Sequence, residues 1–160
     1  MQIPRNSQVP TAYIIALALL TSTFVPTIFV HSAAYAQSSN AGFGNTTNLA
    51  LPNGKSIPIN YLINTGKILD LVLDKSRATL SVNISSPSAD HNGNLTIQIP
   101  RYVVDNKKEG NADAPFRVHV DGKDATFTEI ANTKTTRTLS IQFNKDAKVI
   151  DIIGSKSTVQ

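Results

Sequence analysis

Cysteine and tryptophan are absent from this chain, and its one methionine is Met1. Without cysteine there is no thiol nucleophile, no Cys-ligated zinc and no iron–sulfur cluster, and no disulfide to staple a small exported fold. A blue-copper site, which needs two His and a Cys, is excluded as well. Of the three histidines only His91 and His119 lie beyond residue 36. Aromatics are few, 4 Tyr and 6 Phe, and those from residue 56 on, Tyr102 apart, alternate into the expected core. Tyr102, beside Arg101, is the one ring expected to stand free for stacking a sugar. Runs of one charge are also missing, Lys107-Lys108 being the one adjacent basic pair. Nucleic-acid binding calls for a basic stripe interleaved with aromatics, and there is none.

The long apolar content is concentrated at the start. Met1–Pro10 is polar with a single charge, Arg5; Ala12–Leu20 is almost wholly apolar and Phe24–Val30 extends the run; Ala34-Tyr35-Ala36 then gives a small-x-small cleavage pattern. Residues 1–36 are therefore expected to be a secretory signal peptide, with Gln37 as the new N-terminus. The alternative is an uncleaved membrane anchor, since a span needs roughly 20 apolar residues; Pro26 and the Thr21-Ser22-Thr23 break argue against it. Cleavage leaves 124 of the 160 residues, enough for one domain with its own core. One of the 15 basic residues goes with the leader, leaving 14 against 11 acidic, a net charge of +3.

Residues 37–55, rich in Asn, Ser, Gly and Thr, read as a flexible lead-in, 56–154 as the domain and 155–160 as a polar tail. Within the domain the pattern has period two, the signature of half-buried strands. Ile57, Ile59, Tyr61 and Ile63 alternate with polar residues; so do Leu69, Leu71 and Leu73; Ala78, Leu80, Val82 and Ile84; Leu95, Ile97 and Ile99; Phe116, Val118 and Val120; and Leu139, Ile141 and Phe143. Phe127 anchors a further strand and Ile150–Ile153 closes the set. Pro58 marks an edge strand or a strand start, and Asp121-Gly122 a hairpin turn. No helical period persists for three turns; one helical turn is expected near Tyr102–Asn106. The expected fold is all-β, an immunoglobulin-like antiparallel β-sandwich of about 7–8 strands, with a small β-barrel as the alternative.

Several strand sequences carry a resemblance: Tyr61, Ile63, Gly66 and Ile68, then Leu95–Arg101, Phe116–Gly122, Arg137–Phe143 and Ile150–Gly154. Their order and spacing resemble a β-domain of exported and cell-surface proteins of ammonia-oxidising archaea. The resemblance covers roughly Ile57–Gly154. In that group the domain can recur within a chain, and some members end in a sorting tail with a transmembrane stretch. Here one copy and no such tail are found. The resemblance implies an extracytoplasmic address and a fold, and no reaction.

The candidate sites are few. Asn45, Asn83 and Asn94 head N-x-Ser/Thr sequons and are expected glycosylation sites in an exported chain. Glu129 and Arg137 flank the Ile130–Thr136 loop and are expected to form a structural ion pair across a hairpin. Asp90–Asn94 has some oxygen ligands of a calcium loop but no closing acidic residue, so it reads as a turn. Asp105, Glu109 and Asp113, with Lys107 and Lys108 among them, read as a solvated loop. No Gly-x-Ser-x-Gly elbow presents a nucleophile, and two short sheets leave little room for a glycosidase cleft. The expectation is a non-catalytic module with no cofactor or metal, acting at the cell envelope or in the secreted fraction on envelope or surface proteins or on itself. An extracellular carbohydrate- or calcium-binding module using the 86–94 and 101–115 loops is the alternative, with a small secreted hydrolase behind it. Membrane contact is expected through a retained N-terminal segment alone.

Overall fold

A computed structural model describes residues 42–85 and 91–160. The expected signal peptide and part of the Asp90–Asn94 turn lie outside the described residues.

Among the described residues ten strands form: β1 (Asn45–Ala50), β2 (Ser56–Ile63), β3 (Lys67–Asp74), β4 (Thr79–Ser85), β5 (Gly93–Pro100), β6 (Arg117–Val120), β7 (Lys123–Asp124), β8 (Phe127–Asn132), β9 (Thr136–Phe143) and β10 (Val149–Ile153). They make two five-stranded sheets, β1-β2-β5-β9-β8 and β3-β4-β10-β6-β7, in which every pair is antiparallel. Neither sheet closes on itself, so the fold is a β-sandwich and not the barrel. The alternation in sequence explains it. Ile59, Leu95, Ile97, Ile99, Leu139, Ile141 and Phe143 of the first sheet, and Leu71, Leu80, Val82, Ile84, Val118, Ile150 and Ile152 of the second, are all buried in one core. Full burial of one such side chain contributes about 1.5–3 kcal/mol, and with no disulfide this packing carries the fold.

Three features differ from the sequence reading. The segment taken as lead-in supplies β1, whose Leu49 is fully buried; its Asn-, Thr-rich composition hid a strand with one core residue. As a result β2 is covered on that side and is not an edge. Pro58 lies outside the β2–β5 ladder, which pairs Asn60 to Ile63, so no bond to β5 is lost to it. Second, a register shift between Ile68 and Asp70 turns Leu69 outward, against the expected Leu69-Leu71-Leu73 face. Third, the polar tail is tied down: Asp105 and Lys156 form a β-bridge, Thr158 N–H donates to Tyr102 C=O at 2.9 Å, and Val159 is buried. Asp121-Gly122 makes the expected turn between β6 and β7, with φ of 50° and 77°, as a two-residue hairpin requires.

Candidate functional site

The densest cluster of ionisable groups lies where the 101–116 connection closes one end of the sandwich. It starts from β9. Arg137 falls in the same alternation as Leu139, Ile141 and Phe143, so the strand turns it into the core, where it is 1% exposed. Its guanidinium lies 4.2 Å from the centroid of the Phe116 ring. A buried guanidinium must be both paired and fully hydrogen-bonded, and this one is. Nε donates to Glu129 Oε1 at 2.7 Å and Nη2 to Oε2 at 2.5 Å. Nη1 donates to the carbonyls of Ala114 at 3.0 Å and Asn106 at 3.3 Å, and approaches Asp105 Oδ1 at 3.5 Å. Glu129 raises the guanidinium pKa further, against the opposing effect of burial.

A second layer repeats the chemistry. Arg101, at the end of β5, donates through Nη1 to Asp105 at 2.8 and 2.9 Å and through Nη2 to Asp113 Oδ2 at 2.7 Å. Its Nε donates to Thr133 C=O at 2.7 Å, and Nη2 also reaches Asn132 Oδ1. Lys107 Nζ sits 2.5 Å from Asp113 Oδ1. The Asp113 carboxyl is held well below the usual carboxylate range, first by its bond from Arg101, then by those from Lys107 and Asn132. Three cations, Arg101, Lys107 and Arg137, thus meet three anions, Asp105, Asp113 and Glu129.

A β-bulge makes this possible. Glu129 is the partner of Leu139 and Asn132 of Arg137, with the register shift between them at Ile130. The extra residue lets Glu129 and Asn132 point to the same side although they are three apart in sequence, and it throws Ile130 outward. The structure therefore brings Glu129 and Arg137 together as an ion pair in which the guanidinium is buried and the carboxylate half-buried. The loop read as solvated is corrected likewise: Asp105 is 2% exposed because Arg101, Arg137 and the backbone of Lys156 surround it. Glu109 stays exposed. The expected helical turn at Tyr102–Asn106 is a tight turn in which Val103 N–H and Val104 N–H both reach Pro100 C=O, and a short 3-10 turn falls later, at Glu109–Asn111.

The outer faces of the two sheets are chemically unlike. Across the second sheet, register aligns Ser81, Asp151, His119 and Asp124 in one row, beside an open groove of about 510 Å³ that Arg77 and Arg117 also line. Ser81 Oγ donates to Asp151 Oδ1 at 2.6 Å, and His119 Nε2 stands 3.0 Å from Asp124 Oδ1. A hydrolytic triad needs the imidazole between hydroxyl and carboxylate; here the carboxylate stands between them, so the row is not a nucleophile–base pair. A larger hollow of about 830 Å³ is lined by Leu69, Asp70, Ile84, Asp146 and Lys148 among others. Among the described residues no three His, Asp or Glu side chains converge to hold a metal ion.

In the first sheet the only charged strand residues are Glu129 and Arg137, and these pair with each other. Its outer face sets a lattice of amides and hydroxyls beside the exposed side chains of Leu62 and Ile130. Thr46 Oγ1 donates to Asn60 Oδ1 at 3.0 Å, Asn60 Nδ2 to Gln98 Oε1 at 3.1 Å, and Asn94 Nδ2 to Ser140 Oγ at 3.0 Å. The sequon asparagines are scattered: Asn45 is exposed at the start of β1, Asn83 is half-buried mid-strand in β4, and Asn94 is half-buried with its amide engaged. No family model, curated protein or solved structure matches the chain.

Proposed function

We propose that this chain is an exported, non-catalytic β-sandwich module that works at the cell envelope or in the secreted fraction by contact with proteins or surfaces. The observation that carries this reading is the fate of its charge cluster. Six ionised groups converge at one end of the fold, and each is bonded to another of the six. Asp113, held ionised by the Arg101 guanidinium, offers no proton at neutral pH and accepts one poorly. The cluster fastens the long connection to β5, β8 and β9 of the first sheet, and the groups available for recognition are those on the outer faces. The signal-peptide pattern supports an extracytoplasmic site of action.

The uncharged amide-and-hydroxyl face, together with the half-exposed ring of Tyr102, supports a second reading as a module for neutral carbohydrate. Cross-linking mass spectrometry on native envelope and culture medium separates the two. The contact reading expects a mature N-terminus at Gln37 and cross-links to envelope proteins. Cytoplasmic neighbours alone would overturn it. An absence of neighbours, joined to a thermal shift of several degrees with a neutral polysaccharide, would favour the second reading.

A further inference from the structure

An open sheet edge is a row of unpaired N–H and C=O groups, and folded chains block such edges with bulges, charges, proline or brevity. This sandwich has four edges. β3 carries a bulge beside Leu69 and the charges of Lys67, Asp70 and Asp74. β8 carries the bulge at Ile130. β7 is two residues long. β1 has none of these devices: its six residues, Asn45-Thr46-Thr47-Asn48-Leu49-Ala50, contain no charge, no proline and no bulge, and pair residue for residue with β2. Among the described residues no backbone hydrogen bond reaches β1 from any other element.

We propose that β1 is an association edge and that its partner is β1 of a second copy, paired antiparallel about a two-fold axis to join two five-stranded sheets into one of ten strands. This deepens the contact reading above and rests on it. Two observations choose the partner. Around a two-fold axis each side chain meets its own strand's set, so a charged edge would face its own charge; β1 presents Thr46, Asn48 and Ala50 outward and none is charged. The outward rows also continue across the join: Thr46 already extends the chain of bonds through Asn60 to Gln98, and its counterpart lies in the other copy's identical row. Main-chain bonds would supply affinity and the alternate side chains the register. One strand pair buries less than the ~1,600 Å² of a standard interface, so the association is weak and depends on concentration.

The test uses the chain as purified from exporting cells, its N-terminus read by mass spectrometry, in sedimentation equilibrium over a wide concentration range. The wild type is expected to rise from monomer toward dimer mass. The doubly substituted Thr46→Lys/Asn48→Lys and Thr46→Glu/Asn48→Glu forms are each expected to associate about tenfold or more weakly, with unchanged unfolding midpoints because both positions face solvent. An equimolar mixture of the two should recover association. A wild type that stays monomeric throughout would overturn the proposal, as would a dimer indifferent to both variants, which would place contact on another surface. Monomeric behaviour together with cross-links to envelope proteins would remove the homotypic partner and leave the contact reading standing.

Discussion

Arg137 concentrates the energetics of the molecule in one side chain. Its removal leaves the half-buried Glu129 and two half-buried backbone carbonyls without their donor and opens a void against Phe116. Breaking a buried pair from one side costs about 3–5 kcal/mol, so Arg137→Ala is expected to lower the urea midpoint by that equivalent. Arg137→Lys should lose most of it too, since an ammonium cannot reproduce the bidentate contact. The double change Arg137→Met/Glu129→Met should recover a large part, because it removes both charges while keeping volume. If the double form is no more stable than Arg137→Ala, the loss lies in packing and not in an orphaned carboxylate. Asp113 brings pH into the same network. Its folded pKa lies below the unfolded value of about 3.9, so its contribution is complete above that value and fades as pH falls through the folded one. Wild-type stability should therefore decline below about pH 4, and Asp113→Asn should be less stable at pH 7 with a flatter acid limb. Parallel profiles in urea titrations from pH 7 to pH 2 would assign the acid sensitivity elsewhere.

At the scale of elements, the long connection is held by its neighbours as much as by its charges. Gly154 follows β10 where the chain passes Asp105, and a Cβ there would lie 2.4 Å from the Asp105 carbonyl oxygen and 2.7 Å from Val104 Cγ1. Gly154→Ala is expected to push the loop off the strand end at a cost of about 1–3 kcal/mol and to speed hydrogen exchange at the Asp105, Ser155 and Lys156 amides. Protection unchanged at those three would show that the loop accommodates the methyl. The strands themselves were legible in sequence because period-two alternation is a local signal, and the expected faces of β2, β4, β5, β6 and β9 point as read. The face that failed was β3, where a bulge shifts the phase at Leu69, and a bulge leaves no compositional mark. The Glu129–Arg137 pair was legible from hairpin spacing, but its burial was not, although the phase of Arg137 with Leu139 carried that signal. Asp105, Lys107 and Asp113 read as part of a solvated loop, and Arg101 and Asn132 had no place in that reading, because the meeting of these residues depends on how β5, β8 and the connection pack, which no local pattern records. β1 was missed because a strand with one buried residue looks like a tether.

For the molecule as a whole, the two sheets divide their labour. The second sheet keeps its charges on the outside, at Lys67, Asp70, Asp74, Arg117, Lys123, Asp124 and Asp151. The first sheet turns its one ion pair inward and shows the surroundings uncharged groups alone along its strands, amides and hydroxyls together with the exposed side chains of Leu62 and Ile130. Dissolved ions screen charge over about 8–10 Å at ordinary ionic strength and to about 3 Å at 1 M salt, and they act little on hydrogen bonds between neutral groups. Self-association through the first sheet should therefore hold nearly constant from about 0.05 to 1 M sodium chloride, as measured by sedimentation, whereas a contact made by the second sheet should weaken steeply over the same range. For a chain exported as proposed, the neutrality of one face would give a contact that a change in the salinity of its surroundings leaves in place.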